Sequence, residues 1–186
     1  MTPLSRARAA LLVVDIQERL AAAMSEEVLG RVVRNTAVLI EAARRLGLPI
    51  VVSQQYPKGL GHTLSSLEDA LRDAPNVHRF DKVEFSAADC DAFAQLAPTL
   101  KRDQWIVAGM EAHVCVYQSA RGLVARGYEV HVASDAISSR TKANWRIGLS
   151  LLERAGAIVT STEVCVFDLL GKAGSEDFKA LSRLIK

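Results

Sequence analysis

The stretch WIVAGMEAHVCV, residues 105–116, predicts a buried strand, a tight turn and the start of a helix. Its first four residues are apolar, which is typical of a strand covered on both faces. Gly109 gives the backbone the freedom that a sharp turn requires. Apolar residues then recur near helical spacing, and Gly127 is a typical helix stop. The pattern therefore places Cys115 close to the N-terminus of a helix.

The position of Cys115 admits two interpretations. Unpaired N–H groups and the positive end of the helix dipole favour an anion there, so a thiol in this place should lose its proton more readily and act as a nucleophile. A free cysteine is also commonly a small buried residue of the core. Position alone does not decide between these two roles.

Length and composition indicate an ordinary globular protein. The chain has 186 residues, of which 49% are hydrophobic and 24% charged, and we expect residues 1–186 to form one domain. The net charge of +2 gives no electrostatic basis for binding nucleic acid or an anionic membrane surface. No apolar run is long enough to cross a membrane. The expected partner is a small-molecule substrate.

The three cysteines are Cys90, Cys115 and Cys165, an odd number at wide spacing with no Cys-x-x-Cys pair. This spacing favours neither a disulfide framework nor a structural zinc site. We therefore expect a reducing, cytoplasmic location. Cys90 and Cys165 fall inside predicted helices; Cys90 is interpreted as a core or helix-surface residue and Cys165 as a packing residue.

Strand and helix patterns alternate along the chain, which predicts an α/β fold with a mostly parallel sheet in three αβα layers. Predicted strands lie near residues 9–14, 50–52, 77–80, 105–108, 129–133 and 157–160. Predicted helices lie near residues 28–46, 64–71, 87–100, 114–126, 144–155, 162–170 and 175–186. We assume a doubly wound six-stranded order, 3-2-1-4-5-6, in which ligands bind where the winding reverses.

Under that order, three reactive side chains meet at the carboxyl edge of the sheet. Asp15 ends the first strand, Lys82 follows the third and Cys115 follows the fourth. The carboxylate could take the thiol proton and return it to a leaving group, and the lysine could hold the carboxylate ionised. Two simpler interpretations remain open: Asp15 as a helix N-cap, and Lys82 as a solvated surface charge.

Five motifs, in the right order along nearly the whole chain, resemble the isochorismatase-like cysteine hydrolases. They are VVDIQ (13–17), DKVEFS (81–86), GMEAHVCV (109–116), GYEVHV (127–132) and DAISSR (135–140). The loop QYPKGLG (55–61) and the C-terminal stretch look most like the subgroup called isochorismatase domain-containing hydrolases. The resemblance implies an isochorismatase-like fold and hydrolase activity.

The resemblance also implies a role for each residue. Cys115 would attack a carbonyl to form a thioester, with Asp15 as base and then acid, and Lys82 would support both. A cis peptide would lie at Met110–Glu111, and backbone N–H groups from about Glu111 and Cys115 would face the oxyanion. Candidate substrate-binding residues are Gln17, Gln55, Tyr56 and His113, with His62 as a loop histidine that is more typical of a surface.

Metal ligands of the nicotinamidases have no counterpart after the second strand, where this chain reads SQQY (53–56). We therefore expect no metal and no other cofactor. The sequence favours a metal-independent hydrolase of a small amide or related C–N bond. Alternatives are a redox-active thiol protein using Cys115, a nicotinamidase-type amidase, or a binding protein on a retained fold. The family is commonly oligomeric, so we expect a homo-oligomer.

Overall fold

The computed structural model describes residues 2–185 and shows six strands and nine α-helices in that range. The strands are β1 (Ala9–Val14), β2 (Ile50–Gln55), β3 (Val77–Lys82), β4 (Gln104–Met110), β5 (Glu129–Ser138) and β6 (Ile158–Thr160). The helices are α1 (Glu18–Ala21), α2 (Glu26–Leu46), α3 (Pro57–Leu60), α4 (Ser65–Leu71), α5 (Asp91–Thr99), α6 (Tyr117–Ala125), α7 (Lys142–Arg154), α8 (Thr162–Leu170) and α9 (Glu176–Ile185). A 3-10 turn (Ala87–Asp89) precedes α5, and a π-helical turn (Ala112–Val116) precedes α6.

The six strands form one parallel sheet in the order β3-β2-β1-β4-β5-β6. This confirms the doubly wound order that the sequence interpretation assumed. The winding reverses between β1 and β4, and in folds of this kind ligands bind at the carboxyl ends of the strands at that point. The register determines what meets there: Val14 pairs with Ser53 and with Gly109, and Gln55 pairs with Lys82.

Helices cover both faces of the sheet, which confirms the three-layer arrangement. Alternate residues of β1 point to opposite faces because side chains alternate along a strand. Leu11 and Val13 pack with α2, α4, α8 and α9. Leu12 and Val14 pack with α5, α6 and α7. Both faces of β1 and β4 are buried, which explains why these strands read as apolar runs.

The carboxyl edge differs from the sequence prediction in the neighbourhood of Gly109. Strand β4 continues through Gly109 to Met110, so the sharp turn predicted at Gly109 is wrong. The glycine is needed for another reason: its φ is +142°, and a Cβ there would overlap the carbonyl oxygen of Val14. Strand β5 also runs on to Ser138, five residues beyond its predicted end.

Other boundaries differ by a few residues, and two of the differences concern helices. The predicted helix over residues 87–100 is divided, and Cys90 is the buried N-cap of α5 rather than a residue within the helix. The predicted C-terminal helix is observed as α9, and its last predicted residue, 186, lies outside the described residues. Within residues 2–185 the structure shows no helix with the length and apolarity needed to span a bilayer. The assignment of residues 1–186 to one domain stays a prediction.

Candidate active site

Asp15 is fully buried immediately after β1, in a left-handed backbone conformation with φ of +51°. Its Oδ1 accepts a hydrogen bond from the Ser53 hydroxyl at 2.7 Å, and its Oδ2 accepts one from Lys82 Nζ at 2.6 Å. The N-cap interpretation of Asp15 is wrong, because α1 begins after Gln17. Both carboxylate oxygens are thus oriented by neighbouring strands rather than by a helix end.

Lys82 ends β3 with a side chain that is completely inaccessible to solvent. Besides Asp15, its Nζ contacts Gln55 Oε1 at 2.8 Å and the carbonyl oxygens of Glu84 and Phe85 at 3.2 and 3.3 Å. The interpretation of Lys82 as a solvated surface charge is therefore wrong. A buried ammonium surrounded by acceptors and paired with a carboxylate is the arrangement that keeps both charges at low dielectric.

Cys115 lies in the π-helical turn after β4 and is 6% exposed. Burial, and next to it the charge of the Asp15 carboxylate, raise the pKa of the Cys115 thiol to about 12, although the charge of Lys82 lowers it. The expectation that this thiol loses its proton more readily is therefore wrong. Loss of water around the sulfur and the nearby carboxylate outweigh the lysine and the helix dipole. The resting group is a thiol next to a base.

The peptide bond between Met110 and Glu111 is cis, as the resemblance implied. The Glu111 carboxylate is buried and accepts hydrogen bonds from the backbone N and the Nε of Arg140, both at 3.0 Å. Its carbonyl oxygen accepts from the N–H groups of Val114 and Val116 at 3.0 and 3.2 Å. The turn that carries Cys115 is thus anchored at the end of β5.

His113 belongs to the same turn but contacts the end of β5. Its Nδ1 lies 2.9 Å from the Ser139 hydroxyl. His113 is half-buried and Ser139 is buried. The structure therefore places His113 in the turn that carries Cys115 without a described contact to Cys115, and its substrate contact stays a prediction.

Gln17 and Gln55 hold the site together through hydrogen bonds within the protein. Gln17 Nε2 donates to the carbonyl oxygens of Gln55 and Gly61 at 3.0 and 2.7 Å, and its Oε1 accepts from Gln55 N at 2.7 Å. Gln55 Nε2 donates to the Val83 carbonyl at 2.9 Å. These amides position the loop and Lys82 through hydrogen bonds within the protein, and a substrate contact through either residue stays a prediction.

Tyr56 and His62 lie on the surface of the loop after β2. Tyr56 has a φ of +38°, is 53% exposed and lines a cleft of about 500 Å³ next to Val83 and Cys90. His62 is exposed, and its carbonyl oxygen accepts a hydrogen bond from Glu18 N. A substrate contact through Tyr56 stays a prediction.

Ser53 is a site residue that the sequence interpretation missed. It is fully buried and pairs in register with Val14, directly beside Asp15. The available signal was a hydroxyl at the end of an apolar strand. Among residues 2–185, the structure brings together no group of three or more His, Cys, Asp or Glu side chains that could hold a metal ion.

Residues 9–164 match the family model of the isochorismatase domain. The chain belongs to the isochorismatase family. It is 38% identical over 177 residues to the secreted isochorismatase effector Isc1 of Phytophthora sojae, covering 95% of this chain and 83% of that protein. It is 36% identical over 183 residues to isochorismatase domain-containing protein 1 of Danio rerio, covering 98% of this chain and 62% of that one. The chain thus spans about three fifths of this vertebrate relative's length.

A solved structure, described as a MAR1 ribonuclease from Caenorhabditis elegans, superposes on this isochorismatase-family chain with a TM-score of 0.91. The two are 36% identical, with coverage of 99% of this chain and 92% of that chain. The family and the fold expected from the sequence are therefore confirmed, and the chain is an isochorismatase-like hydrolase at the level of the family.

Proposed function

We propose that this protein is a metal-independent cysteine hydrolase that cleaves a small amide or a related C–N bond. One observation carries the proposal: the Asp15 carboxylate, held by hydrogen bonds from Ser53 and Lys82, raises the pKa of the Cys115 thiol through its charge. A carboxylate near a protonated nucleophile can serve as its general base.

In the first half-reaction Asp15 removes the thiol proton as Cys115 Sγ attacks the substrate's carbonyl carbon. A tetrahedral intermediate forms, with negative charge on the former carbonyl oxygen. Collapse of the intermediate breaks the C–N bond, and Asp15 gives its proton to the departing nitrogen. The products are an amine and a thioester on Cys115, and Asp15 is again a carboxylate.

In the second half-reaction Asp15 removes a proton from water, and the hydroxide oxygen attacks the thioester carbonyl. The C–S bond breaks, and the proton returns from Asp15 to the sulfur. A carboxylic acid is released and the resting thiol is regenerated. One carboxylate therefore serves as base and acid in turn, which requires that it stay ionised in the free enzyme.

Lys82 supports that ionisation. Its ammonium lies 2.6 Å from Asp15 Oδ2 in a place without water, where an unpaired carboxylate would be strongly disfavoured. The charge of Lys82 also lowers the pKa of the Cys115 thiol, so it favours the thiolate-like sulfur that forms during attack. Backbone N–H groups near Glu111 and Cys115 are proposed as the oxyanion donors.

The redox alternative has less support than the hydrolase. Peroxide reacts with the thiolate, and a pKa of about 12 leaves very little thiolate on Cys115 at neutral pH. A nicotinamidase-type reaction that depends on a bound metal also has less support, because the described residues contain no suitable cluster of ligands. Metal independence, with no cofactor, stays part of the proposal.

Location and assembly are further parts of the proposal. Three free cysteines suit a reducing cytoplasm, although one relative is named a secreted effector. Helix α8 packs on β5, and α9 packs on α2 and α8, but Val164 and Leu184 are left about half exposed, which would suit a homo-oligomer. Size-exclusion chromatography with light scattering tests the assembly.

The test of the proposed function is release of ammonia or amine from a panel of small primary amides and N-carbamoyl compounds. We expect activity that persists in EDTA, is lost in Cys115→Ala and is retained in Cys165→Ala. Intact-mass spectrometry should show an acyl adduct on the wild-type protein and on Cys165→Ala but not on Cys115→Ala. Full activity of Cys115→Ala on an identified substrate would contradict the mechanism.

A second candidate function comes from the C. elegans structure, which is described as a ribonuclease. RNA cleavage would need Asp15 and Lys82 as acid and base but no thiol. Incubation with labelled single-stranded RNA tests it: cleavage that survives Cys115→Ala and disappears in Asp15→Asn would favour this function over the amide hydrolase.

A further inference from the structure

A cavity of about 570 Å³ lies at the carboxyl edge of the sheet, beyond the end of β5. Three segments form it: the start of α2, the end of β5 with the residues after it, and the start of α7. Its lining residues are Ser25, Glu27, Val28, Arg31, Ser138, Ser139, Arg140, Lys142 and Trp145. No step of the proposed mechanism uses this cavity.

The charges around the cavity are mainly positive. The lining side chains include three cations, Arg31, Arg140 and Lys142, and one carboxylate, that of Glu27. Arg140 is already bound by Glu111, whereas Arg31 and Lys142 form no ion pair with any described residue. Two helices of 21 and 13 residues also begin at this cavity, and the N-terminus of each adds positive potential.

Trp145 supplies a hydrogen-bond donor that nothing in residues 2–185 uses. Its indole Nε1 is buried, lacks an acceptor and belongs to a side chain that lines the cavity. A buried indole N–H normally finds a partner, and it can only donate. Together with the unpaired cations, this donor points to a ligand group that accepts hydrogen bonds and carries negative charge.

The cavity adjoins the turn that carries the nucleophile. Its lining residue Ser139 contacts His113, and its lining residue Arg140 contacts Glu111. Ser138 pairs in register with Met110. A ligand held here would therefore lie beside the segment between β4 and Cys115.

We propose that this cavity is a substrate subsite that binds a carboxylate, so that the substrate is a small amide bearing an anionic group. Lys142 and Arg31 attract the carboxylate, and the Trp145 indole donates a hydrogen bond to it. This inference rests on the proposed function for its link to catalysis, although binding of an anion can be measured without turnover.

Intrinsic fluorescence provides the test, because Trp145 lines the cavity whereas the other tryptophan, Trp105, is fully buried in the core. The protein with Cys115→Ala, which cannot cleave the probe, is titrated separately with succinamate, uncharged succinamide and inorganic phosphate. We expect saturable quenching by succinamate, none by succinamide, and no signal in Trp145→Phe.

When Lys142→Met is added to the Cys115→Ala protein, succinamate should bind about tenfold more weakly. A tenfold loss of affinity corresponds to the loss of one charge-assisted hydrogen bond. Arg34→Met is the matched control: this exposed arginine is one turn along α2 from Arg31 but does not line the cavity, and we expect less than about a twofold change. Circular dichroism melting confirms that each variant is folded.

The proposal is overturned if succinamate does not quench, if succinamide binds equally well, or if Lys142→Met and Arg34→Met behave alike. Tighter binding of phosphate than of succinamate would overturn the carboxylate assignment. Anion binding in a protein that hydrolyses no amide would remove the proposed function but leave the subsite. Amide hydrolysis without anion binding would remove only the subsite.

Discussion

Cys115 and Cys165 are two buried thiols whose surroundings look alike until the charges are compared. The pKa of each is raised to about 12, first by burial and next by the charge of an aspartate, Asp15 for Cys115 and Asp135 for Cys165. For Cys165 the next charge is a second aspartate, Asp168, whereas for Cys115 it is Lys82, which lowers the pKa.

The two aspartates are also held differently. Asp135 Oδ1 accepts hydrogen bonds from the N–H and the hydroxyl of Thr162 at 2.8 and 3.0 Å, so it stabilises the start of α8. Asp15 is held by Ser53 and by the buried ammonium of Lys82. A buried cysteine near a carboxylate is therefore not enough for chemistry. The buried ammonium of Lys82, hydrogen-bonded to the carboxylate, is what distinguishes the candidate site.

The largest expected effect separates the two cysteines by activity. Cys115→Ala should lower amide hydrolysis by a factor on the order of 10⁴ or more, since the nucleophile is removed. Cys165→Ala should leave kcat within about twofold, because this side chain packs in the core away from the site. Steady-state kinetics on the substrate found in the amide panel measure both. Equal losses of activity in the two variants would contradict a special role for Cys115.

A second prediction separates the two aspartates by stability. Asp15→Asn leaves the Lys82 ammonium buried without a carboxylate, so the free energy of unfolding should fall by about 3–5 kcal/mol. Asp135→Asn keeps an amide oxygen for Thr162 and should cost roughly 1 kcal/mol. Urea denaturation followed by circular dichroism measures both values. A smaller loss for Asp15→Asn than for Asp135→Asn would contradict the buried ion pair.

A third prediction concerns what the cysteines share. The pKa of each thiol is 9.0 in the unfolded chain and about 12 in the folded protein, so between these pH values the thiol is protonated only in the folded protein. The unfolded state then binds fewer protons, so stability is complete below about pH 9 and falls above it by about 1.4 kcal/mol per pH unit for each cysteine. As pH rises above 9, the free energy of unfolding should fall less steeply in Cys165→Ala than in the wild type. Urea midpoints between pH 7 and pH 10.5 test the slope, and equal slopes would contradict a raised pKa at Cys165.

The smallest expected effect concerns Glu111, whose charge contributes least among the causes that raise the pKa of Cys115. Its partner Arg140 has a side chain that is 57% exposed, so the ion pair is screened by water. Glu111→Gln should change stability by about 1 kcal/mol or less and lower the pKa of Cys115 slightly. Urea denaturation and pH-dependent alkylation measure the two changes, and a loss comparable with that of Asp15→Asn would contradict this ranking.

The sheet could be predicted because its central strands are buried on both faces and alternate with helices. Apolar runs such as Ala9–Val14, and the polar residues just after them, indicate where parallel strands end. The residues proposed for catalysis follow from that pattern and the family resemblance. The structure adds the contacts that orient them.

Other features depend on contacts between distant segments and leave little mark on the sequence. The need for glycine at position 109 comes from its approach to Val14, and the engagement of the Gln17 amide comes from the loop after β2. The pKa of Cys115 was predicted with the wrong sign because the helix position is visible in the sequence, whereas burial and the distance to Asp15 are not. Tertiary desolvation outweighs the local dipole.

The most direct measurement is the rate of Cys115 alkylation by iodoacetamide against pH, followed by peptide mass spectrometry. It is made in the wild type, Asp15→Asn and Lys82→Met. Cys165 in the same samples serves as the internal control, because it has similar burial but lacks contact with the pair. Folded protein is confirmed in every sample by circular dichroism.

We expect the Cys115 titration midpoint to lie well above the unfolded value of 9.0. The midpoint should fall in Asp15→Asn, where a carboxylate is lost, and rise in Lys82→Met, where a cation is lost. Cys165 should respond to neither change. A Cys115 midpoint at or below the free value, unchanged in both variants, would contradict a buried thiol coupled to Asp15 and Lys82.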